Sequence, residues 1–313
     1  MLARCKHAIC WSILGRTVTA ALRTEEGTLD VPGGKVWYKS VGEQGDLPPL
    51  LVAHGGPGFA HNYLTPLEDL ADRRRVIFWD QLGCGRSETP SDTSLWTMDR
   101  SLREVDAVRE QLGLDRHHLF GNSWGGMLAQ QYVLDRRTDL VSLIVSNSLA
   151  SMPRLGEDTA RLKALLPQDV QDTIDYHEDN EFYNCPEYQG AIAIWYQTYI
   201  CRLQPWPRGL EESFANVGME IYMTMIGPSD FKVIGNLKEW DILDRLKEIT
   251  MPTLFIAGRY DECTPEHMEL MHNHLPGSDF ALFEKSAHMP FYEEREDCMR
   301  TMNDFLSRAE ASA

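Results

Sequence analysis

The chain has 313 residues, of which 43% are apolar and 25% are charged. These fractions are ordinary for a globular protein and exclude a disordered, collagen-like or coiled-coil chain. With 30 basic and 47 acidic residues the formal charge is −17. Such a charge repels phosphate groups, so we expect neither nucleic acid nor a membrane as a partner. No segment approaches the roughly 20 consecutive apolar residues that cross a bilayer.

The cysteines are odd in number and scattered, and none has the C-x-x-C spacing of zinc or redox motifs. Free thiols are typical of a reducing compartment, so we expect a cytoplasmic protein. At the N-terminus, Arg16 interrupts a short apolar run too early for a secretory signal. Residues 1–26 are therefore predicted to be an extension of unspecified structure. The seven cysteines are Cys5, Cys10, Cys84, Cys185, Cys201, Cys263 and Cys298.

Strand-like runs occur along most of the chain. Residues 28–31 and 35–38 flank Pro32-Gly33-Gly34 and predict a β-hairpin. The runs that follow are continuously apolar, which indicates strands covered on both faces, as in a parallel sheet. These runs are 50–53, 76–79, 118–120, 143–145, 253–257 and 280–283.

Helical patterns lie between the strand-like runs. Residues 102–112 carry one apolar stripe, a second helix is expected directly after Ser123, and a third near 299–306. This alternation predicts an α/β fold, with a mostly parallel sheet and helices on both of its faces. From 151 to 238 strand-like runs are scarce, and prolines and aromatic residues are frequent. We predict a core of residues 27–150 and 239–313 with a helical cap, 151–238, inserted into it.

The clearest chemical signal is the G-x-S-x-G motif around Ser123. It follows an apolar strand and precedes a helix, which is the context of a nucleophile elbow. The glycines allow a tight turn that exposes the serine hydroxyl. The helix N-terminus provides N–H groups near developing negative charge. Ser123 is therefore the predicted nucleophile.

A nucleophilic serine needs a base, and the base needs a carboxylate that orients it. Asp261 follows the strand 253–257, and His288 follows the strand 280–283. Both lie beyond the carboxyl end of a strand, where open α/β sheets build their sites. The chain order serine, aspartate, histidine is a known order for a catalytic triad.

A second glycine-rich loop, His54-Gly55-Gly56-Pro57-Gly58, follows the strand 50–53. Its glycines let backbone N–H groups approach a tetrahedral intermediate. We expect the amides of Gly56 and Trp124 to form the oxyanion hole, with Gly55 as the alternative donor. His54 is expected to brace this loop. Asp80 and Arg86 are expected to form an ion pair that holds a neighbouring loop.

Together these motifs resemble those of proline iminopeptidases and related L-amino-acid amidases of the α/β-hydrolase superfamily. The resemblance extends from about residue 27 to 306. The pair of H-G-G-P-G and D-Q-x-G-x-G-R-S stretches is more specific than G-x-S-x-G alone. The resembling stretches are 54–58, 80–87, 121–125, 227–231, 240–242, 260–262 and 286–288.

The resemblance implies the α/β-hydrolase fold and cleavage of an amide next to a free α-amine, typically that of an N-terminal proline. It also implies that carboxylates in or beside the cap hold the ammonium group. The matching positions are Glu262 and Asp230, and some relatives have glutamate at the second. The aspartate shortens the reach by one methylene, which affects amine recognition or pocket size. Charge complementarity gives the physical reason, because a carboxylate pairs well with an ammonium in a partly dry pocket.

Two alternatives remain open from the sequence. An esterase or lactonase could use the same triad and oxyanion hole, and a non-catalytic ligand receptor could share the fold. The pair Glu262 and Asp230 distinguishes an amidase from an esterase or lactonase, since an amine pocket is useless for a neutral lactone. No H-E-x-x-H motif, phosphate loop or dinucleotide fingerprint occurs, so no metal or organic cofactor is expected. The expected partner is a small-molecule or short-peptide substrate with a free N-terminus.

Overall fold

The fold is known from a computed structural model that describes residues 22–136 and 140–312. Most of the predicted N-terminal extension, including Cys5 and Cys10, lies outside the described residues. β1 begins at Thr24, so residues 24–26 of that extension are strand. The strands are β1 (Thr24–Val31), β2 (Gly34–Val41), β3 (Leu50–Ala53), β4 (Val76–Trp79), β5 (His118–Asn122), β6 (Ser142–Ser146), β7 (Thr253–Gly258) and β8 (Asp279–Phe283).

All eight strands form one sheet in the order β1-β2-β4-β3-β5-β6-β7-β8. β1 and β2 form the predicted antiparallel hairpin, and β2 also pairs antiparallel with β4. From β4 through β8 every pairing is parallel. The chain passes from β3 to β4 on one side and then to β5 on the other. The carboxyl ends of β3 and β5 therefore flank the switch point where α/β sheets bind ligands.

Helices connect the strands and form the cap. Short 3-10 helices occupy His61–Asp72, Thr93–Leu95 and Leu243–Glu248. The α-helices are α1 (Met98–Gln111), α2 (Trp124–Arg136), α3 (Met152–Lys163), α4 (Gln168–Asp179), α5 (Pro186–Tyr199), α6 (Arg208–Ala215), α7 (Met219–Met225), α8 (Pro265–His274), α9 (Pro290–Glu293) and α10 (Arg295–Ala311). No helix in the described ranges is long and apolar enough to cross a membrane.

The sheet is buried on both faces, as its continuously apolar strands predict. In β3, Leu51 and Ala53 pack into the cluster that contains α1, α2 and α8. Leu50 and Val52 point the other way, into the cluster that contains α10 and the 3-10 helix His61–Asp72. The predicted α/β fold is confirmed, and both layers of helices hold the sheet in place beneath the site.

Five helices, α3 to α7, lie between β6 and β7. Helices α4 and α5 enclose a hydrophobic cluster of their own, with Trp195 fully buried in it. The loop after α7 carries Asp230. Helices α4 and α5 therefore have a core of their own, whereas α3, α6 and α7 contribute side chains to the two clusters beside the sheet. The segment lies over the carboxyl ends of the strands, where its residues line a cavity with Ser123 and His288.

Candidate active site

The turn that carries Ser123 is shaped by its glycines. Ser123 connects β5 to α2 with φ of +55°, a conformation that L-residues rarely adopt. A Cβ atom on Gly121 would lie 2.1 Å from the carbonyl oxygen of Gly125. A Cβ atom on Gly125 would lie 2.2 Å from the carbonyl oxygen of Ala53. Only glycine fits at both positions, so the motif holds the strained serine at the top of the sheet.

Asp261 and His288 form a buried pair. Nδ1 of His288 lies 2.6 Å from Oδ1 of Asp261. The same oxygen accepts the N–H of Cys263 at 3.0 Å, and Oδ2 accepts the side-chain amide of Asn147 at 2.7 Å. The carboxylate is thereby fixed against the imidazole, which orients the ring and stabilises its positive form.

Ser123 and His288 line one cavity of about 200 Å³ beneath the cap. Among the described residues the two side chains do not hydrogen-bond directly, a looseness that is common before substrate binds. Gly56, Asp230 and Glu262 line the same cavity. The structure thus brings five of the seven predicted site residues to one space, while Asp261 and Trp124 stand directly behind it.

The amides expected to bind the oxyanion differ in their availability. Gly55 donates its N–H to the hydroxyl of Tyr63 at 2.6 Å, so this alternative donor is already engaged. Gly56 has φ of +113°, and its N–H has no partner among the described residues. Trp124 is the first residue of α2, where the N–H lacks an intrahelical acceptor. Gly56 and Trp124 are the donors that remain free.

His54 and Gln81 join the two halves of this predicted oxyanion hole. Nε2 of His54 accepts the backbone N–H of Gln81 at 2.9 Å. The side-chain amide of Gln81 donates to the carbonyl of His54 at 2.9 Å and accepts the indole N–H of Trp124 at 2.9 Å. Burial lowers the pKa of His54 to about 4, so the ring is neutral and can accept. His54 therefore braces the loop as expected.

Asp230 and Glu262 each have one neutral donor. Oε2 of Glu262 accepts the indole N–H of Trp195 at 2.9 Å, and Oδ1 of Asp230 accepts the hydroxyl of Tyr222 at 2.6 Å. Glu262 is only 6% exposed. No lysine or arginine within residues 22–136 and 140–312 forms an ion pair with either acid. Neither carboxyl group in the cavity is thus paired with a lysine or arginine of the described residues.

Charge and burial shift the pKa values of this group. Burial, and then the charge of Asp230, raises the pKa of Glu262 well above its usual value. Burial also raises the pKa of Asp230, partly offset by its hydrogen bond to Tyr222. Burial alone would lower the pKa of His288, but Asp261, and then Glu262 and Asp230, raise it to about 9. The site strongly favours positive charge on whatever enters it.

The predicted ion pair between Asp80 and Arg86 is wrong. The Asp80 carboxylate accepts backbone N–H groups, from Arg86 at 2.9 Å and from His61 at 2.8 Å. The Arg86 side chain turns away, bonds Glu26 at 2.8 Å and lies 4.2 Å from the centre of the Trp37 ring. The Asp80 carboxylate therefore holds the loop by accepting the loop's backbone N–H groups. This arrangement costs less desolvation than burying the Arg86 guanidinium would.

Three residues that position the site were not predicted. Asn147 bonds Asp261, and Gln81 joins the oxyanion loops, as described above. Glu293 accepts the N–H of Ala287 at 2.7 Å and so fixes the loop that carries His288. Asn147 and Gln81 each come within two residues of a strand's carboxyl end. A polar residue at such a place is the signal that could have found them.

One group of metal-ligand type occurs in the described chain. Asp261, Cys263 and His288 place one ligand atom each within 4.8 Å of one another. However, both oxygens of Asp261 already have hydrogen-bond partners in Asn147, Cys263 and His288, and burial raises the pKa of the Cys263 thiol well above its ordinary value. A metal needs the thiolate, so the donor set fits a triad and not a metal site.

Comparison with known proteins agrees with this geometry. Residues 48–295 match the family model described as the alpha/beta hydrolase fold. The proline iminopeptidase of Heyndrickxia coagulans is 42% identical over 90% of this chain and 98% of its own length. That of Saccharolobus solfataricus is 37% identical, over 92% and 94%. The chain belongs to the proline iminopeptidase family of α/β hydrolases.

Solved structures agree with this membership. A proline iminopeptidase of Mycobacterium smegmatis has a TM-score of 0.85 and 34% identity, over 92% of this chain and 99% of its own. VinJ has a TM-score of 0.88 and 36% identity, over 91% and 99%. An esterase of Exiguobacterium antarcticum, at 21% identity and a TM-score of 0.65, shares the fold alone. The resemblance expected from the motifs is therefore confirmed.

Proposed function

We propose that this enzyme is a serine hydrolase that cleaves the amide bond after an N-terminal amino acid with a free α-amine, most often proline. Its substrates are short peptides or amino-acid amides, and it acts through an acyl-enzyme. One observation carries the proposal: Glu262 and Asp230 line the cavity of Ser123 and His288 with one neutral hydrogen-bond donor each and no lysine or arginine partner among the described residues. A substrate ammonium supplies the missing charge.

The proposed mechanism follows from the contacts. Ser123 attacks the carbonyl carbon, and His288 accepts the hydroxyl proton and then donates it to the leaving amine. Asp261 holds the imidazole and stabilises its charge. The amides of Gly56 and Trp124 bind the oxyanion, each at a cost of about 2.7–4 kcal/mol in the barrier when lost. Water then attacks the ester of Ser123, with His288 again acting as the base.

The ester and lactone alternatives fit these observations less well. A neutral substrate would leave two poorly solvated carboxyl groups without a charged partner, and burying unpaired polar groups is costly. The ammonium of an amine substrate removes that cost, because it forms an ion pair with charge-assisted hydrogen bonds to the carboxylates. The relatives from Heyndrickxia coagulans and Saccharolobus solfataricus also favour a peptidase, since both are proline iminopeptidases.

The test compares L-proline p-nitroanilide with its N-acetylated form. We expect kcat/KM to fall at least about 100-fold on acetylation, because the two acids then have no substrate ammonium to pair with. L-alanine p-nitroanilide shows whether the pocket prefers the proline ring. Equal rates for the free and acetylated substrates, or activity on p-nitrophenyl esters alone, would contradict the proposal and favour an esterase.

The division of the chain is also a proposal. We assign residues 27–150 and 239–313 to the catalytic core and 151–238 to the cap. The separate hydrophobic cluster of α4 and α5 supports this division. The scattered free cysteines support a cytoplasmic location.

Gln81 gives a prediction about the oxyanion hole. Gln81→Met removes both side-chain hydrogen bonds that join the loop of Gly56 to Trp124. We expect kcat on L-proline p-nitroanilide to fall about 10- to 100-fold with little change in KM. The reason is that a small displacement of the donors weakens their hydrogen bonds to the oxyanion and so leaves the transition state less stabilised. L-proline aldehyde, which forms an oxyanion on Ser123, should lose affinity in parallel.

Trp124→Phe is the matched variant for Gln81→Met. It removes the indole N–H and keeps the backbone amide, so its effect should be smaller than that of Gln81→Met. A rise in KM at constant kcat in Gln81→Met would show that Gln81 serves ground-state binding instead. Unchanged affinity for the aldehyde would lead to the same conclusion.

The pKa of His288 gives a prediction about pH. His288 accepts a proton only when neutral, and its pKa is about 9 in the free enzyme. Hydrolysis of neutral p-nitrophenyl acetate should therefore rise with pH through about 9. Glu262→Gln removes a negative neighbour, lowers the pKa of His288 and should move this limb to lower pH.

A bound substrate ammonium should lower the pKa of His288, as Glu262→Gln does, because it offsets the negative charge of the acids. In the pH profile of kcat, the acidic limb for L-proline p-nitroanilide is then expected at lower pH than the acidic limb for the ester. Rates are measured from pH 5 to 10, with Ser123→Ala as the blank for spontaneous hydrolysis. Identical limbs for both substrates and both proteins would show that the acids do not act on His288.

A further inference from the structure

A second cavity adjoins the catalytic one. It forms a groove of about 550 Å³ between α5 and the segment that contains α6. Four residues line both spaces: Gln189, Ile192, Tyr196 and Phe214. The groove therefore adjoins the cavity of Ser123.

Aromatic rings connect the oxyanion loop to this groove. Phe59, three residues after Gly56, lies with its ring centre 4.8 Å from that of Phe214. Phe214 in turn lies 5.0 Å from Tyr196 and 5.1 Å from Trp206, which lines the groove. An apolar wall thus runs from the predicted site of the scissile carbonyl to the surface.

The two acids line the catalytic cavity and do not line the groove. Glu262 and Asp230 are held in the cavity by Trp195 and Tyr222. A substrate anchored by its ammonium to these acids presents its carbonyl to Ser123. The atoms beyond the scissile bond then extend away from the acids, and the groove with its aromatic wall is a space that adjoins the cavity.

The groove has the chemistry of a peptide subsite. Gln189, Gln197 and Gln204 offer side-chain amides that can both donate to and accept from a peptide backbone. Trp206 is half-buried and offers an apolar face. Small-molecule and peptide sites typically combine such an apolar wall with a few polar groups.

We propose that the groove between α5 and α6 binds the peptide segment that follows the scissile bond and favours an apolar or aromatic first residue. This inference rests on the proposed function and names its substrate class. Short peptides then exceed simple amides as substrates, because binding energy in the groove is available to the acyl-transfer step.

The test uses L-prolinamide, prolyl-glycinamide and prolyl-phenylalaninamide with the full chain. We expect kcat/KM for the phenylalanine substrate to exceed that for the glycine substrate at least about tenfold. If prolinamide is hydrolysed and the two dipeptide amides have equal kcat/KM, the proposed role of the groove is overturned and the proposed function stands. If none of the three is hydrolysed, the proposed function fails and the groove with it.

Variants on α5 locate the effect. Ala193 and Gln197 are exposed, line the groove and lie one turn apart. Ala193→Arg or Gln197→Arg should fill the groove and reduce the phenylalanine-to-glycine ratio at least about fivefold. Ile194→Arg is the matched control, because Ile194 is 40% exposed on the same helix and lines neither cavity. Equal ratios in Ala193→Arg, Gln197→Arg and Ile194→Arg would overturn the inference.

Discussion

Ser123→Ala is expected to lower kcat on L-proline p-nitroanilide by about 10⁴- to 10⁶-fold. The variant keeps the oxyanion donors and the amine pocket but has no atom that can form the acyl-enzyme. KM should change far less than kcat, because the acids that hold the substrate remain. The measurement is the steady-state rate at saturating substrate, together with labelling by a fluorophosphonate.

The control for this variant is Ser91→Ala, which changes an exposed serine outside the cavity. Its kcat and its labelling should match those of the unmodified enzyme. Labelling that persists in Ser123→Ala would point to another nucleophile, and more than about 1% residual activity would do the same. Absence of labelling in the unmodified enzyme would favour the ligand-receptor alternative, since an unactivated serine does not react.

The strands could be predicted from the sequence because their signal is local. A strand buried on both faces must be apolar at nearly every position, as in β3 and β4. Both strands have the bounds expected from their apolar runs. Strands β5 and β6 extend slightly beyond theirs, since Asn122 and Ser146 continue the ladder with polar side chains. The sheet order could not be predicted in this way, because pairing depends on contacts distant in sequence.

In the candidate site, too, local signals predict some residues, while others depend on contacts distant in sequence. Ser123, Asp261 and His288 follow strands and fit a known order, so motif and topology together predict them. Asn147 bonds Asp261 across 114 positions of sequence, and a single asparagine in a loop carries no periodic pattern. Its place directly after β6 could have marked it as a candidate, but its partner becomes visible only when β6 and β7 are seen side by side.

The error at Arg86 has a related cause. Opposite charges near each other in sequence suggest an ion pair, but the chain between Asp80 and Arg86 turns so that its backbone N–H faces the carboxylate. The backbone donor then satisfies Asp80 without burying a second charge. Sequence composition does not reveal which of the two donors is used.

Glu262→Gln is expected to lower kcat/KM for L-proline p-nitroanilide by about 10²- to 5 × 10³-fold. Breaking a buried ion pair by removing one partner costs about 3–5 kcal/mol. Glutamine keeps the bond to the indole N–H of Trp195 and nearly the same volume, so the change isolates charge. The selectivity for the anilide over p-nitrophenyl acetate should fall by a similar factor, because the ester has no ammonium.

Two further variants make the test of Glu262 specific. Glu266→Gln changes an exposed acid in the first turn of α8 and should leave the selectivity unchanged. Asp230→Asn should act like Glu262→Gln but more weakly, because Asp230 is more exposed and its charge is better screened. An equal loss on anilide and ester in Glu262→Gln would mean that Glu262 supports the fold of the site. A loss confined to the anilide, larger at Glu262 than at Asp230, is what recognition of the α-amine requires.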